Sequence, residues 1–208
     1  MAGVRGPLMS FDASGKLADS IVFSKWKGRN YVRQLVTPHN PKSASQTGMR
    51  AMFGFLATLW ASIAAGDQSS WDDLAETGNF SPFNAYMKAN QADWRDFLSP
   101  TEATPAAIAG TPAALGTEAA TLSGRNIILS GTNAAGTGNW GVAIFRGLTT
   151  AFTLDWSNCI AIVPLADTGV LQYTDGPLVP DQYFYNFKNF TDDGVFGADE
   201  TEVNATVV

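Results

Sequence analysis

The sequence is poor in the side chains that most often carry enzyme chemistry. Its 208 residues include one cysteine, Cys159, and one histidine, His39. A single cysteine excludes an intrachain disulfide and a cysteine-built metal site, and it fits synthesis in a reducing cytoplasm. A single histidine excludes a two-histidine metal site, and between Pro38 and Pro41 we expect a turn residue rather than a catalytic base. We therefore expect no enzyme, no catalytic residue, no cofactor and no metal.

Charge and long apolar runs are also scarce. Charged residues make up 15% of the chain against 45% hydrophobic residues, and no apolar run is long enough to span a bilayer. The first 20 residues lack the charged and apolar regions of a signal peptide, so we expect synthesis in the cytoplasm and no membrane partner.

The charge that is present is divided between the two ends of the chain. Residues 1–50 hold eight Lys/Arg against two acids, a net charge of +6, and residues 101–208 hold three against eleven, a net charge of −8. The basic residues are spaced along a segment rather than clustered. This spacing favours docking on an acidic protein surface over binding to nucleic acid.

The segment 19–36 has the pattern of a β-hairpin. Alternating side chains from Ile21 to Trp26 precede a turn at Lys27-Gly28, and 31–36 runs back. An isolated hairpin is marginal in water, so it must lie on another surface.

The hairpin also carries the strongest candidate for partner binding, because a Trp ringed by cations at a turn is typical of an interface anchor. The candidate residues are Trp26, Lys25, Lys27, Arg29, Tyr31 and Arg33. Two alternatives stay open: Trp26 folds back onto the helices, or the hairpin contacts phosphate or DNA.

Apolar periodicity predicts three helices after the hairpin. Ser43 starts the first with a capping-box pattern, and its apolar stripe extends over 49–63. A short second helix is predicted at 68–76, and a third begins with a Ser-Pro pair and runs over 82–98. We expect residues 1–98 to form a hairpin plus a small helical module that anchors the protein.

The residue composition and the apolar pattern change after this module. Residues 99–112 read as a Pro/Ala/Thr linker, and 113–208 reads as short strands separated by turns, which is typical of an immunoglobulin-like β-sandwich. The predicted strands are 125–130, 140–146, 158–163, 170–174, 182–190 and 201–207, with a weak first strand near 113–115. Trp140 is expected to be the central core aromatic. The predicted fold class is α+β, in two domains.

The strand 181–190 and the turn after it have a recognisable form. Together they resemble the last hairpin of fibronectin type III domains, with Tyr183 and Tyr185 at the positions of the Tyr-x-Tyr motif. No Cys…Trp…Cys set is present, which excludes an antibody-type domain.

Three motifs suggest chemistry but favour ordinary structural roles. Residues 136–141 spell G-x-G-x-x-G, but a predicted strand follows where a dinucleotide site needs a helix, so we expect a loop. Asp72 and Asp73 suit the start of a helix. A third group consists of four acids near the C-terminus, Asp192, Asp193, Asp199 and Glu200. Their spacing does not match a calcium-binding loop and favours a hairpin turn.

The N-terminal part carries several short motifs in a fixed order. The stretches 23–33 and 40–43 precede a Gln and an Arg on the next helix, two tryptophans and then Phe83-Asn84. Residues 15–98 thereby resemble modules of uncharacterised tailed-bacteriophage proteins, several of which occur among virion structural genes. The resemblance implies a virion context and no catalytic residue.

Together these features predict a non-enzymatic virion structural protein. Its N-terminal module would anchor to the capsid or tail, and the immunoglobulin-like domain would be displayed as head decoration, minor capsid protein, or tail fibre or collar component. Expected partners are capsid, portal, adaptor or tail proteins and copies of the chain itself. The runner-up is a nucleic-acid-binding protein using the basic hairpin. A carbohydrate-processing or carbohydrate-binding protein is a third class, for which no aromatic platform can be located.

Overall fold

A computed structural model describes most of the chain. The described residues are 15–17, 20–27, 29–37, 40–106, 110–133, 139–165 and 169–208, and the side chains of Leu17, Arg29 and Asn30 are outside the description. The chain divides into two compact units, Met1–Pro41 and Lys42–Val208. The sequence predicts a boundary within 99–112, between the helices and the sandwich. In the structure the helices and the sandwich belong to the same unit.

The first unit contains a three-stranded antiparallel sheet. Its strands are β1 (Gly15–Leu17), β2 (Ile21–Trp26) and β3 (Arg29–Gln34), in the order β1-β2-β3. Strands β2 and β3 form the hairpin at the predicted place. Strand β1 was not predicted, because three residues are too few to show alternation.

The second unit begins with four α-helices in its described part. They are α1 (Ala44–Leu59), α2 (Ala65–Ser69), α3 (Asp72–Gly78) and α4 (Pro82–Arg95). The Ser43 hydroxyl accepts a hydrogen bond from the Gln46 amide at 3.4 Å, and Ser81 accepts one from Asn84 at 3.3 Å. Both serines thus cap the helices they were expected to start. The short helix predicted at 68–76 is instead two, because the chain turns at 70–71.

Among the described residues, no single helix is both long and apolar enough to cross a membrane. One pair of helical segments in this part of the chain, Ala44–Ser62 and Ala65–Gly78, is long and apolar enough when the two are taken together. The chain bends by 116° between them.

Where the structure describes the rest of the second unit, seven strands form two antiparallel sheets. They are β4 (Gly116–Ser123), β5 (Asn126–Thr132), β6 (Asn139–Gly147), β7 (Cys159–Pro164), β8 (Val170–Asp175), β9 (Asp181–Thr191) and β10 (Val203–Val207). One sheet has the order β10-β9-β6-β7 and the other β4-β5-β8. The α+β class with antiparallel sheets is confirmed. The weak first strand predicted near 113–115 lies at β4 instead, where a register shift between Gly116 and Ala119 hides the alternation.

The two sheets share one hydrophobic core. Ile127 and Leu129 of β5 and Leu171 of β8 pack with Ile144 of β6 and Phe187 of β9, all fully buried. The sheets therefore face each other as a sandwich.

The four-stranded sheet has a second core on its outer face, shared with the helices. Because side chains alternate along a strand, Ile144 of β6 points into the sandwich while Phe145 points out. Phe145, Phe190 and Cys159 pack in one cluster with Met52 and Leu56 of α1 and with Trp94 of α4. One core that crosses residues 99–112 is the physical reason why the helices and the sandwich belong to one unit.

Trp140 belongs to this outer core and not to the sandwich centre, so its predicted role was wrong. Its ring meets Phe55 at 5.0 Å and Phe190 at 6.2 Å between centroids. A register shift between Asn139 and Gly141 turns it to the helix side.

Two glycines of α1 provide a matched test of how closely this helix approaches residues 156–158, the turn that leads into β7. A Cβ on Gly48 would lie 2.0 Å from the carbonyl oxygen of Trp156, whereas a Cβ on Gly54 would meet nothing within 4 Å. We expect Gly48→Ala to lower the free energy of unfolding by about 2 kcal/mol or more. Gly54→Ala should raise it by about 0.5–1 kcal/mol through helix propensity. Urea denaturation measures both, and equal effects of the two substitutions would contradict the close packing.

A second test removes the helices. A fragment of residues 108–208 exposes the outer face of the four-stranded sheet, including Phe145 and Phe190, which are fully buried in the intact chain. We expect this fragment to show no cooperative thermal transition by circular dichroism, because its apolar face has no cover. The fragment 42–208 is the control and should unfold in one transition. Equal thermal midpoints for the two fragments would show that the sandwich folds without the helices, as a domain boundary within 99–112 requires.

Candidate partner-binding site

Strand register sorts the predicted hairpin residues by face. Val22 pairs with Arg33, Ser24 with Tyr31 and Trp26 with Arg29. Paired residues share a face, and successive residues on one strand alternate. Trp26, Tyr31 and Arg33 therefore lie on one face, which we call the aromatic face.

The remaining three predicted residues are placed differently. Lys25 pairs with Asn30 and lies on the opposite face, in alternation with Phe23 and Ile21. Lys27 is in the turn, with a left-handed φ of 47°. The backbone of Arg29 pairs with Trp26, and its side chain lies outside the described residues.

The aromatic face is exposed to solvent. Trp26 is 66% exposed and Tyr31 is 41% exposed. The Lys27 ammonium lies 4.9 Å from the centroid of the Trp26 ring, a cation–π contact that holds a positive charge beside the indole. A large exposed aromatic beside a cation has the composition of the central residues of a protein interface.

Three of the four acids considered for calcium have contacts that account for them. The Asp192 carbonyl accepts the Glu102 amide at 2.8 Å, and Asp199 forms an ion pair with Lys188. The Glu200 carboxylate accepts the Leu115 amide at 3.0 Å. Within the described ranges, no group of three His, Cys, Asp or Glu side chains is arranged to hold a metal ion.

Glu102 is an unusual carboxyl that the sequence did not reveal. Burial raises its pKa to about 7, with further contributions from the carboxylates of Asp192, Asp67 and Asp193. Its carbonyl oxygen accepts the Trp71 indole N–H at 2.8 Å, which ties the segment to the start of α3. No sequence motif identifies Glu102, because the carboxylates that surround it are up to 91 positions away in the chain.

A partly buried polar network connects strands β6, β8 and β9. Arg146 donates to both oxygens of Asp175 at 3.0 and 2.8 Å, and the Tyr185 hydroxyl donates to the same carboxylate at 2.9 Å. Burial and then the Asp175 charge raise the pKa of Tyr185. Because Arg146 lies on β6, Tyr185 on β9 and Asp175 on β8, the network joins the two sheets of the sandwich.

The remaining motifs are the acidic pair, the glycine motif and the histidine. Asp72 and Asp73 lie in the first turn of α3, as expected. Gly141 lies inside strand β6, so a strand follows the glycine motif, while residues 136–138 fall outside the described residues. His39 also falls outside them.

Comparison with known proteins gives structural similarities only. No protein-family model and no curated protein matches the chain. A solved Fn3-like protein from Clostridium thermocellum is 22% identical, with 48% of this chain and 96% of that chain covered and a TM-score of 0.37. A beta-1,2-glucanase from Parabacteroides distasonis is 18% identical, with 48% and 14% covered and a TM-score of 0.35.

A third solved structure is catalytically inactive OgpA from Akkermansia muciniphila with an O-glycopeptide substrate. It is 11% identical, with 61% of this chain and 36% of that chain covered and a TM-score of 0.41. What this chain binds must be inferred from its own surface.

The raised pKa of Glu102 makes a pH-dependent prediction. A carboxyl with a folded pKa of about 7 holds its proton more tightly in the folded than in the unfolded state, whose value is 4.5. Stability therefore falls as pH rises from about 4.5 through about 7. We expect Glu102→Gln to stabilise the protein more at pH 8 than at pH 5, measured by urea denaturation. Glu76→Gln, at an exposed position of α3, is the control for the loss of one negative charge at the surface. A Glu102→Gln effect that is independent of pH would show that this carboxyl is not the cause.

Proposed function

We propose that this protein is a non-enzymatic component of a larger assembly, which attaches to another protein through the aromatic face of its hairpin. The observation that carries the proposal is the register that gathers Trp26, Tyr31 and Arg33 on one exposed face. Tryptophan, tyrosine and arginine are the residues most enriched at the energetic centres of protein interfaces. An exposed indole gains free energy when it enters an apolar pocket, which gives the hairpin a reason to bind.

The second unit is the body that the hairpin attaches. We infer that its sandwich is of the fibronectin type III-like kind. Strand order supports this, because three strands (β4, β5 and β8) face four (β10, β9, β6 and β7). The Tyr183 hydroxyl also donates to the Val179 carbonyl at 3.0 Å at the start of β9, the geometry of a tyrosine corner.

The assembly we propose is a bacteriophage virion. The support is the resemblance of residues 15–98 to modules of tailed-phage proteins. In this proposal the hairpin attaches the chain to the capsid or tail, and the body is displayed as head decoration, minor capsid protein, or tail fibre or collar component. Partners would be capsid, portal, adaptor or tail proteins and further copies of the chain.

A second candidate function is binding to nucleic acid. It is favoured by the same aromatic face, because alternating aromatic rings and cations also suit stacking on bases and contact with phosphates. The acidic second unit disfavours it, since residues 101–208 carry a net charge of −8 that repels a polyanion.

The test compares Trp26→Ala with Phe53→Ala. Both remove an exposed aromatic ring, at 66% and 54% exposure, but only Trp26 is on the hairpin. Particles made without the protein are supplied with each purified variant, and co-sedimentation is measured. We expect attachment of the Trp26→Ala protein to be weakened at least about 30-fold, the loss typical of an interface anchor. Phe53→Ala should attach like the wild type.

A salt series separates the two functions. Binding to single-stranded DNA falls steeply with salt concentration, because each phosphate contact releases counterions. Attachment through an apolar anchor falls much less. Normal attachment of the Trp26→Ala protein would refute the anchor role. Steeply salt-dependent binding to DNA, with no attachment to particles, would favour the second candidate.

A further inference from the structure

An apolar groove lies between helices α3 and α4, within the second unit. It has a volume of about 430 Å³ and is lined by Leu74, Thr77 and Gly78 of α3, by Phe80, and by Lys88 and three alanines of α4. The small residues of α4 leave the space, and the larger side chains form its walls. We call this the α3–α4 groove.

A local backbone turn builds one wall of the groove. Asn79 ends α3 in the left-handed conformation, with a φ of 54°, and the Phe80 amide then donates to the Ala75 carbonyl at 2.9 Å. This cap sends Phe80 back over Gly78, where a Cβ would lie 2.4 Å from the Phe80 ring. Gly78 is therefore needed for the wall to form.

The walls are apolar and open to solvent. Leu74 is 44% exposed and Phe80 is 43% exposed. The Lys88 ammonium lies 4.8 Å from the centre of the Phe80 ring. An aromatic that entered beside Phe80 and Leu74 would bury three large side chains together.

The surroundings of the groove are acidic. Residues 65–96 carry six acids against two bases, a net charge of −4. Asp73 lines a shallower depression that shares Leu74 and Thr77 with the groove. Asp72 and Glu76 are exposed on the same helix as Asp73. A ligand for this groove should thus be an aromatic side chain flanked by cations.

The hairpin of the same chain has this composition. Trp26 is two-thirds exposed, Lys27 is stacked on it, and Arg33 shares its face. We propose that the α3–α4 groove receives Trp26 from the hairpin of a second copy of this chain. The proposal rests on the function proposed above and names the partner of the aromatic face. Burial of the indole supplies affinity. Residues 1–41 hold six Lys/Arg against two acids, a net charge of +4, and this charge is opposite to that of residues 65–96 and sets the orientation.

The donor and acceptor surfaces are different, so the contact is head-to-tail. Each copy offers one hairpin and one groove, and each can bind two neighbours. Contacts of this kind close into a reciprocal two-fold dimer or a larger ring, or they extend as a filament. Two variants that each lose one surface therefore provide a test, because each still offers the surface that the other lacks.

The experiment uses sedimentation velocity on the full chain across a concentration series. Trp26→Ala removes the hairpin anchor, and Leu74→Glu places a charge in the groove wall at an exposed position. We expect the wild type to associate, at the least into a dimer with two hairpin–groove contacts, and each variant alone to remain a monomer. An equimolar mixture of the two variants keeps one intact hairpin and one intact groove. The mixture should therefore form a dimer and nothing larger.

The matched controls are Phe53→Ala and Leu148→Glu, which change exposed apolar side chains outside both surfaces. Both should associate like the wild type. A monomeric wild type, an associating Trp26→Ala protein, or a mixture that stays monomeric would each overturn the self-docking. If the wild type is monomeric but still attaches to particles through Trp26, the proposed function stands and only the identity of the partner fails.

Discussion

The four-stranded sheet is apolar on both faces, and the rest of the second unit follows from that constraint. Strand β6 sends Ile144 into the sandwich and Phe145 out of it, and both are fully buried. A sheet with two apolar faces needs a cover on each side. Strands β4, β5 and β8 cover one side, and the helices cover the other. The sandwich and helices therefore stabilise each other, although the segment that joins them has the composition of a linker.

Local features of this fold could be predicted from the sequence. Ser43 and Ser81 start helices because a serine side chain replaces a missing backbone acceptor, which depends on only three neighbouring residues. The alternation over 182–190 also predicted strand β9, because alternation is visible within one contiguous segment. Features that depend on distant partners could not be predicted. Trp140 turns to the helix side through a bulge, and the pKa of Glu102 depends on charges brought together by the fold.

The hairpin shows the same division between local and distant information. Its position and turn follow from alternation, and so does the list of exposed cations and aromatics. Which of them form one surface depends on pairing register, and register places Lys25 opposite to Trp26 and Tyr31. The α3–α4 groove had no signal in the sequence, because alanines at helical spacing are equally common where a helix packs tightly against a neighbour. The groove forms here because the left-handed cap at Asn79 turns the chain back and places Phe80 in its wall.

The core between helices and sheet also determines the chemistry of the one sulfhydryl. Cys159 is 1% exposed, and burial raises the pKa of its thiol to about 12. Thiolate is the form that attacks disulfides and reacts with oxidants, so almost none is available near neutral pH. Copies packed side by side at high local concentration would then not become cross-linked through sulfur. An assembly of such chains could pass from a reducing compartment to an oxidising one with its covalent structure unchanged.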